Sequence, residues 1–411
     1  MGQAKVITKL NPRPILEDEL MRRVASIDML RGTALMGMVM CHFMIYYGDP
    51  QATKNVFYFI LNHILGDLGA ACFLLLVGMS QVISADRKKG ATEEGLMKKA
   101  FIRGTYIFGA GILMLALAWG PSQLWQWDIL TLIGTATVAL YFCRFLHSWV
   151  ILLISTAIMF LTPWLRTGID FTPYWGGKFI PVPFISDYLP GIFYDPAGEY
   201  KVIWNLRDIV RGFFVTAYFP VFPWLAYPLI GFVVGRRIVN RQMVRDLPFF
   251  FIIGLVMTVL GGTLSYASLF RPAASPIYDY IAPLSFFPDS ITMVCIQTGM
   301  ALILFASAYA YYDGREAPLP LTGQWFIWCQ RMSRFSLTVY FLHYLFITWP
   351  LWIIYGITGK FFVENLMGLF PALLAGMAAV AVFLTVLKAW QRREAKYSLE
   401  WGLDRAANRF S

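Results

Sequence analysis

With 411 residues, 58% of them hydrophobic and only 14% charged, and a mean hydropathy of +0.58, the chain cannot cover a soluble surface; soluble domains carry about 25% charged residues. Lipid is the alternative solvent, and the apolar runs are about 20 residues long rather than alternating ten-residue segments, so helices are expected and not a barrel. The net charge of +10 does not point to nucleic acid, because the basic residues flank the apolar runs in the manner of topology determinants.

Taken in chain order, the apolar runs predict an all-α polytopic bundle of about ten spans. They cover 27–47, 56–84, 101–119, 127–145, 149–165, 211–235, 249–269, 290–311, 335–357 and 362–387. The second run is too long for one simple crossing. It reads as a short interfacial helix over 56–64, a break at Gly66 and Asp67, and then a span. With the N-terminus inside, the inner segments hold 25 Lys and Arg against 7 in the outer ones, which puts both termini in the cytoplasm. The domain organisation that follows is a basic cytoplasmic segment 1–25, one transmembrane domain 26–387, and an amphipathic cytoplasmic helix over 388–411. The outer segment 166–208 is dense in aromatics, Tyr174, Trp175 and Trp204 among them, and reads as a folded lid or an interfacial aromatic belt.

Within the spans, ionisable groups are the informative residues, because each costs roughly 2.5–3.5 kcal/mol to insert. Asp28 and Arg31 are three apart near the start of the first span and share a face, so they can neutralise each other. Arg31 and His42 are eleven apart, about 16 Å along the axis on one stripe, a distance that an extended cofactor arm can bridge. His63 and Asp67 are four apart, a spacing that lets a carboxylate orient an imidazole. Asp128, Asp289 and His343 are further polar candidates, for substrate contact or for interhelical hydrogen bonds. The five cysteines are dispersed, and no metal-ligand spacing occurs.

The opening Arg23-x-x-Ser26-Ile27-Asp28-x-Leu30-Arg31-Gly32-x-Ala34-Leu35, followed by His42, resembles that of the transmembrane acyltransferases. Further stretches resemble the branch of heparan-α-glucosaminide N-acetyltransferase and its bacterial and archaeal relatives. They are Asp67-Leu68 through Gly78, Phe222-Pro223-Trp224-Leu225 leading to Gly231 and Gly235-Arg236, Phe287-Pro288-Asp289-Ser290, Tyr340 to His343, and Leu399-Glu400-Trp401. The resemblance implies an enzyme, an N- or O-acetyltransferase that takes acetyl-CoA from the cytoplasm and acylates a sugar or glycan on the outer side. A prokaryotic plasma membrane is the expected location, and a homodimer is an open option.

His42 falls where the sugar O-acyltransferases have their essential histidine, and Asp67 falls on an acidic or imidazole position of the family. The heparan enzyme looks to have asparagine at the His42 position, and its own histidine lies further upstream of the aspartate than His63 does here. His42, Asp67 and His63 are therefore the catalytic candidates, with the choice of base and of amine or hydroxyl acceptor open. Arg22, Arg23, Arg31, Lys98, Lys99 and Arg103 are the candidates for holding the CoA phosphates. A glycolipid or small-molecule transporter, with the same polar residues lining a path and no covalent chemistry, is the rival class.

Overall fold

The computed structural model describes residues 23–49, 56–87, 92–169, 205–268, 270, 285–286, 289–315, 322–358 and 367–409. The regular elements among them are helices: α1 (Ala25–Tyr47), α2 (Val56–Leu61), α3 (Leu68–Asp86), α4 (Glu93–Trp119), α5 (Ile129–Cys143), α6 (Ser148–Arg166), α7 (Leu206–Arg211), α8 (Val221–Trp224), α9 (Ala226–Val239), α10 (Met243–Ser268), α11 (Ile291–Tyr312), α12 (Gln324–Arg334), α13 (Ser336–Thr358), α14 (Leu369–Arg392) and α15 (Leu399–Arg409). Among the described residues, nine helical stretches are long and apolar enough to cross a membrane. The shorter apolar helix α5 brings the set to ten. The chain is an all-α polytopic membrane bundle, as its composition demands.

Helix ends sort onto two faces. On the first, the Asp313 carboxylate after α11 accepts from the backbone N–H groups of Ala25 and Ser26, both at 2.8 Å. Ser333 donates to Asp28 at 2.7 Å, and four residues later the N–H of Leu337 donates to Glu400 at 2.7 Å. Arg103 of α4 reaches Asp404 of α15 at 3.5 Å. Arg144 pairs with Glu93 at 2.9 Å, and Arg236 donates to the carbonyls of Cys143, Arg144 and Leu146. Both described ends of the chain therefore share this face. On the second face, Arg166 donates to the carbonyl of Asp289 at 2.6 Å, and the N–H of Met367 donates to the carbonyl of Tyr47 at 3.1 Å. This alternation is the one that ten crossings require.

Close packing at the centre depends on small residues, as expected where lipid supplies no hydrophobic drive between helices. A Cβ on Gly78 of α3 would lie 2.0 Å from the carbonyl oxygen of Pro228, and one on Gly231 of α9 would lie 2.0 Å from that of Leu75. The two backbones thus touch directly.

Three details differ from the sequence reading. Gly66 and Asp67 do not break the second run. A π-helical segment, Asn62–Asp67, keeps the chain helical from α2 into α3 with one widened turn. Asp28 acts on Arg31 electrostatically, as their shared face suggests, but their hydrogen bonds go elsewhere: Asp28 pairs with Arg23 at 2.8 Å, and Arg31 donates to the Leu76 carbonyl at 3.3 Å and to Ser80. Those acceptors on α3 offset the cost of placing a guanidinium among helices. The third is α12, a helix the apolar runs do not announce. It buries Phe326, Cys329, Met332 and Ser333, and it lies so close to α1 that a Cβ on Gly32 would fall 2.2 Å from the Cys329 carbonyl oxygen. Most of the aromatic segment 166–208, like residues 1–22, lies outside the described residues.

Candidate active site

A cavity of about 510 Å³ lies in the half of the bundle toward the second face. That volume is within the usual range for a small-molecule site, about 300–1,000 Å³. Two π-helical segments shape it. Asn62–Asp67 turns Asn62, Gly66 and Asp67 onto its wall, and Gly212–Thr216 is followed, after Ala217, by Tyr218 and Phe219, which also line it. π-segments recur at functional sites because the extra residue re-aims the side chains that follow. Gly66 is held close to α1, where an added Cβ would meet Cys41 Sγ at 3.0 Å.

The structure brings three of the sequence candidates onto this one wall: His42 from α1, Asp67 from the π-segment and Asp128 from the start of α5. Asp67 is 4% exposed and Asp128 5%. Asp128 also has a structural task, as the N-cap of α5. Its Oδ1 accepts from the N–H of Leu130 at 3.0 Å, and its Oδ2 accepts from Tyr340 OH at 2.9 Å. Aromatic rings supply much of the remaining wall, including Tyr46, Trp119, Tyr218 and Tyr344. Trp119 packs on both Tyr46 and Tyr344, at centroid distances of 5.0 and 6.0 Å. Among the described residues that line this cavity there is neither Lys nor Arg.

His343 is fully buried one layer behind the wall. Its Nε2 lies 3.1 Å from His42 Nδ1, and Tyr344 OH lies 3.4 Å from His42 Nε2. Asp289 belongs to a separate buried network, in which its Oδ2 accepts from Tyr227 OH at 3.1 Å and Tyr227 also meets Gln297. His63 falls in the π-segment, and its side chain lies outside the described residues.

The basic candidates divide. Lys99 and Arg103 line a second cavity, of about 450 Å³, at the first face. Arg144 and Arg236 join them there, with Asp86 and Glu93 as the acidic members. Arg23 and Arg31 are engaged elsewhere, by Asp28 and by α3. Lys98 pairs with Glu94 one turn away, at 2.6 Å, and Arg22 lies outside the described residues. In the sequence, Arg144 reads only as a topology determinant, and Arg236 only as that and as part of the Gly235-Arg236 resemblance; the tertiary fold gathers them. Tyr344 is the other residue the sequence reading passes over, although its place beside His343 was a usable signal.

Residues 23–266 match the model of the family described as heparan-alpha-glucosaminide N-acetyltransferase, catalytic. The chain belongs to this family. Its members are membrane acetyltransferases, and membership implies that activity for an integral membrane protein with this bundle. The matched span includes His42, Asp67 and Asp128, and the basic residues of the second cavity; Tyr340, His343 and Tyr344 lie beyond it. A search of curated proteins finds no match.

Proposed function

We propose that the chain moves an acetyl group from cytoplasmic acetyl-CoA to an amino or hydroxyl group of a sugar or glycan on the outer side of a prokaryotic plasma membrane. One observation carries this reading: an imidazole and two buried carboxylates share an aromatic cavity in one half of the bundle, and a basic cavity lies in the other half, along the same helices. Lys99, Arg103, Arg144 and Arg236 suit the phosphates of a polyanionic donor that cannot enter lipid. Arg103 and Leu115 of α4 line the lower and upper cavities respectively. They are about 18 Å apart along the axis, a span matched by an extended pantetheine arm.

His42 acts as the general base in this reading. Its Nε2, the nitrogen turned away from His343, takes a proton from the acceptor amine or hydroxyl as that nitrogen or oxygen attacks the thioester carbonyl. The carbon–sulfur bond then breaks, the CoA thiolate leaves, and the proton held by His42 returns to the sulfur. The products are the acetylated sugar and free CoA thiol. Asp67 holds the acceptor by hydrogen bonding. The two carboxylates on the wall favour a neutral or ammonium-bearing sugar over an anionic one.

The test is to incubate the purified protein with acetyl-CoA and a panel of amino, neutral and anionic sugars, and to follow thiol release. Thiol release that depends on an amino or neutral sugar, with acetylated product, is expected. A sugar that is bound and moved across a bilayer unmodified, with no thiol formed, would support a transporter instead.

A further inference from the structure

An imidazole buried among transmembrane helices is costly unless both of its nitrogens are satisfied. His343 is 0% exposed in α13, and both of its nitrogens have partners. Nδ1 meets the backbone carbonyl oxygen of Tyr340, one turn earlier in the same helix. Nε2 meets His42 Nδ1 at 3.1 Å, and the two rings are stacked, with centroids 5.0 Å apart and planes 28° apart. For a neutral pair the donors can be ordered in one way only. A carbonyl oxygen accepts and never donates, so the His343 proton sits on Nδ1. Its Nε2 is then bare and accepts, so His42 donates from Nδ1. The remaining nitrogen of His42, Nε2, carries the lone pair. Tyr344 OH lies 3.4 Å from it, and Tyr344 and His42 line the same cavity.

We propose that His343 is a positioning residue that holds His42 in its Nδ1–H tautomer, so that the Nε2 lone pair serves the cavity. The inference rests on His42 being the base. One turn of α13 supplies the whole device, because Tyr340, His343 and Tyr344 are spaced i, i+3 and i+4 and so share a face. When His42 takes the acceptor proton on Nε2, its Nδ1–H still points at a neutral acceptor, and the ring does not have to turn. A triad carboxylate orients its histidine by the same geometry. Here the orienting group is a neutral ring, which hydrocarbon surroundings tolerate better than an ion.

The experiment is ¹⁵N NMR of the histidine side chains in the full-length, detergent-solubilised protein, with the His42 signals assigned by their loss in His42→Gln. Wild type should show His42 with a protonated Nδ1 and a bare Nε2. His343→Leu should convert His42 to the other tautomer or to a mixture. It should also lower kcat roughly ten- to a hundredfold, as loss of a group that orients a working histidine does, with the KM for acetyl-CoA within about twofold of wild type. In His343→Gln the side-chain carbonyl can accept the same proton, and both the tautomer and most of kcat should return. Wild-type His42 found protonated on Nε2 overturns the inference. So does a folded His343→Leu that loses activity with its His42 tautomer unchanged, because that marks a structural role. If His343→Leu does not fold, the wild-type tautomer and His343→Gln still decide. Failure of the base assignment is seen separately, as normal turnover in His42→Ala.

Discussion

The two cavities differ in how their polar groups are held. The one at the first face is walled by ions that pair at the bundle's edge: Arg144 with Glu93 of the same wall, and Arg103 with Asp404 of the terminal helix. The other is walled by aromatic rings, and two of its polar groups are held by hydrogen bonds from within the bundle: the buried Asp128 by Leu130 and Tyr340, and the half-buried His42 by His343. Exposed ion pairs are weak and screened by salt, whereas buried polar groups hold one geometry because the alternatives are costly. The difference suits one cavity to gripping a polyanion reversibly and the other to chemistry that needs fixed angles.

This contrast requires the ionic cavity to face the cytoplasm, and the largest expected effect is all-or-none. A cysteine placed at Asn240, next to the wall residue Val239, should resist a membrane-impermeant thiol reagent in intact cells and react once the membrane is opened. Ready labelling in intact cells would reverse the roles of the two faces.

The next effect separates chemistry from binding. His42→Ala should lose at least about a hundredfold in turnover, since a general base contributes roughly 10²–10⁴-fold. Acetyl-CoA binding, measured by calorimetry, should stay within a few-fold. Near-normal turnover in His42→Ala, with activity abolished in Asp67→Asn, would move the base to another helix.

The ionic cavity should show the converse. Lys99→Ala combined with Arg103→Ala should weaken acetyl-CoA binding at least about tenfold, since even one hydrogen bond to a charged group is worth roughly 1.5–3 kcal/mol. Turnover at saturating donor should change little. Wild-type affinity should fall as salt is raised, and the double variant should show a shallower fall. Affinity that is insensitive to both would place the phosphates elsewhere.

The smallest effect concerns Glu400, through which the terminal helix α15 docks on the start of α13. Its carboxylate accepts from the N–H groups of Leu337 and Thr338, at 2.7 and 3.0 Å, and from the Thr338 hydroxyl. Burial raises its carboxyl above the ordinary value, and the hydrogen bonds from Thr338 and Leu337 only partly offset this. The folded state therefore binds the proton more tightly than the unfolded chain does. The group's contribution to stability is full below the unfolded-state value and declines as pH rises through the folded one. Glu400→Gln keeps an acceptor and has no such proton. As pH rises above the ordinary carboxylate range, the melting temperature of wild type should fall relative to Glu400→Gln. Parallel melting curves would show that burial does not govern this carboxyl.

Much of this was legible in the sequence, for identifiable reasons. Spans announce themselves by length and hydropathy, and polar residues within them are so few that His42 and Asp67 stand out before any fold is known. Local spacing was a poorer guide to partners. Asp28 and Arg31 share a face, yet each bonds to another helix, because Ser333, Leu76 and Ser80 come near only in the assembled bundle. The helix α12 was hidden because only one face of its eleven residues is apolar. The widened turn at Asn62–Asp67 has no residue signature beyond Gly66, although it sets the wall of the site. Arg144 and Arg236, remote from each other in the chain, gave no sign that they meet.

The central claim, a donor on one side and an acceptor on the other, is tested most directly in sealed inside-out vesicles that contain the protein. Acetyl-CoA is added outside, and an amino sugar found active in solution is trapped in the lumen. The account predicts acetylated sugar in the lumen and free CoA thiol outside, with neither formed by His42→Ala. Acetylation that occurs only when donor and acceptor are on the same side, or trapped sugar that leaves the vesicle unmodified without thiol release, would contradict it.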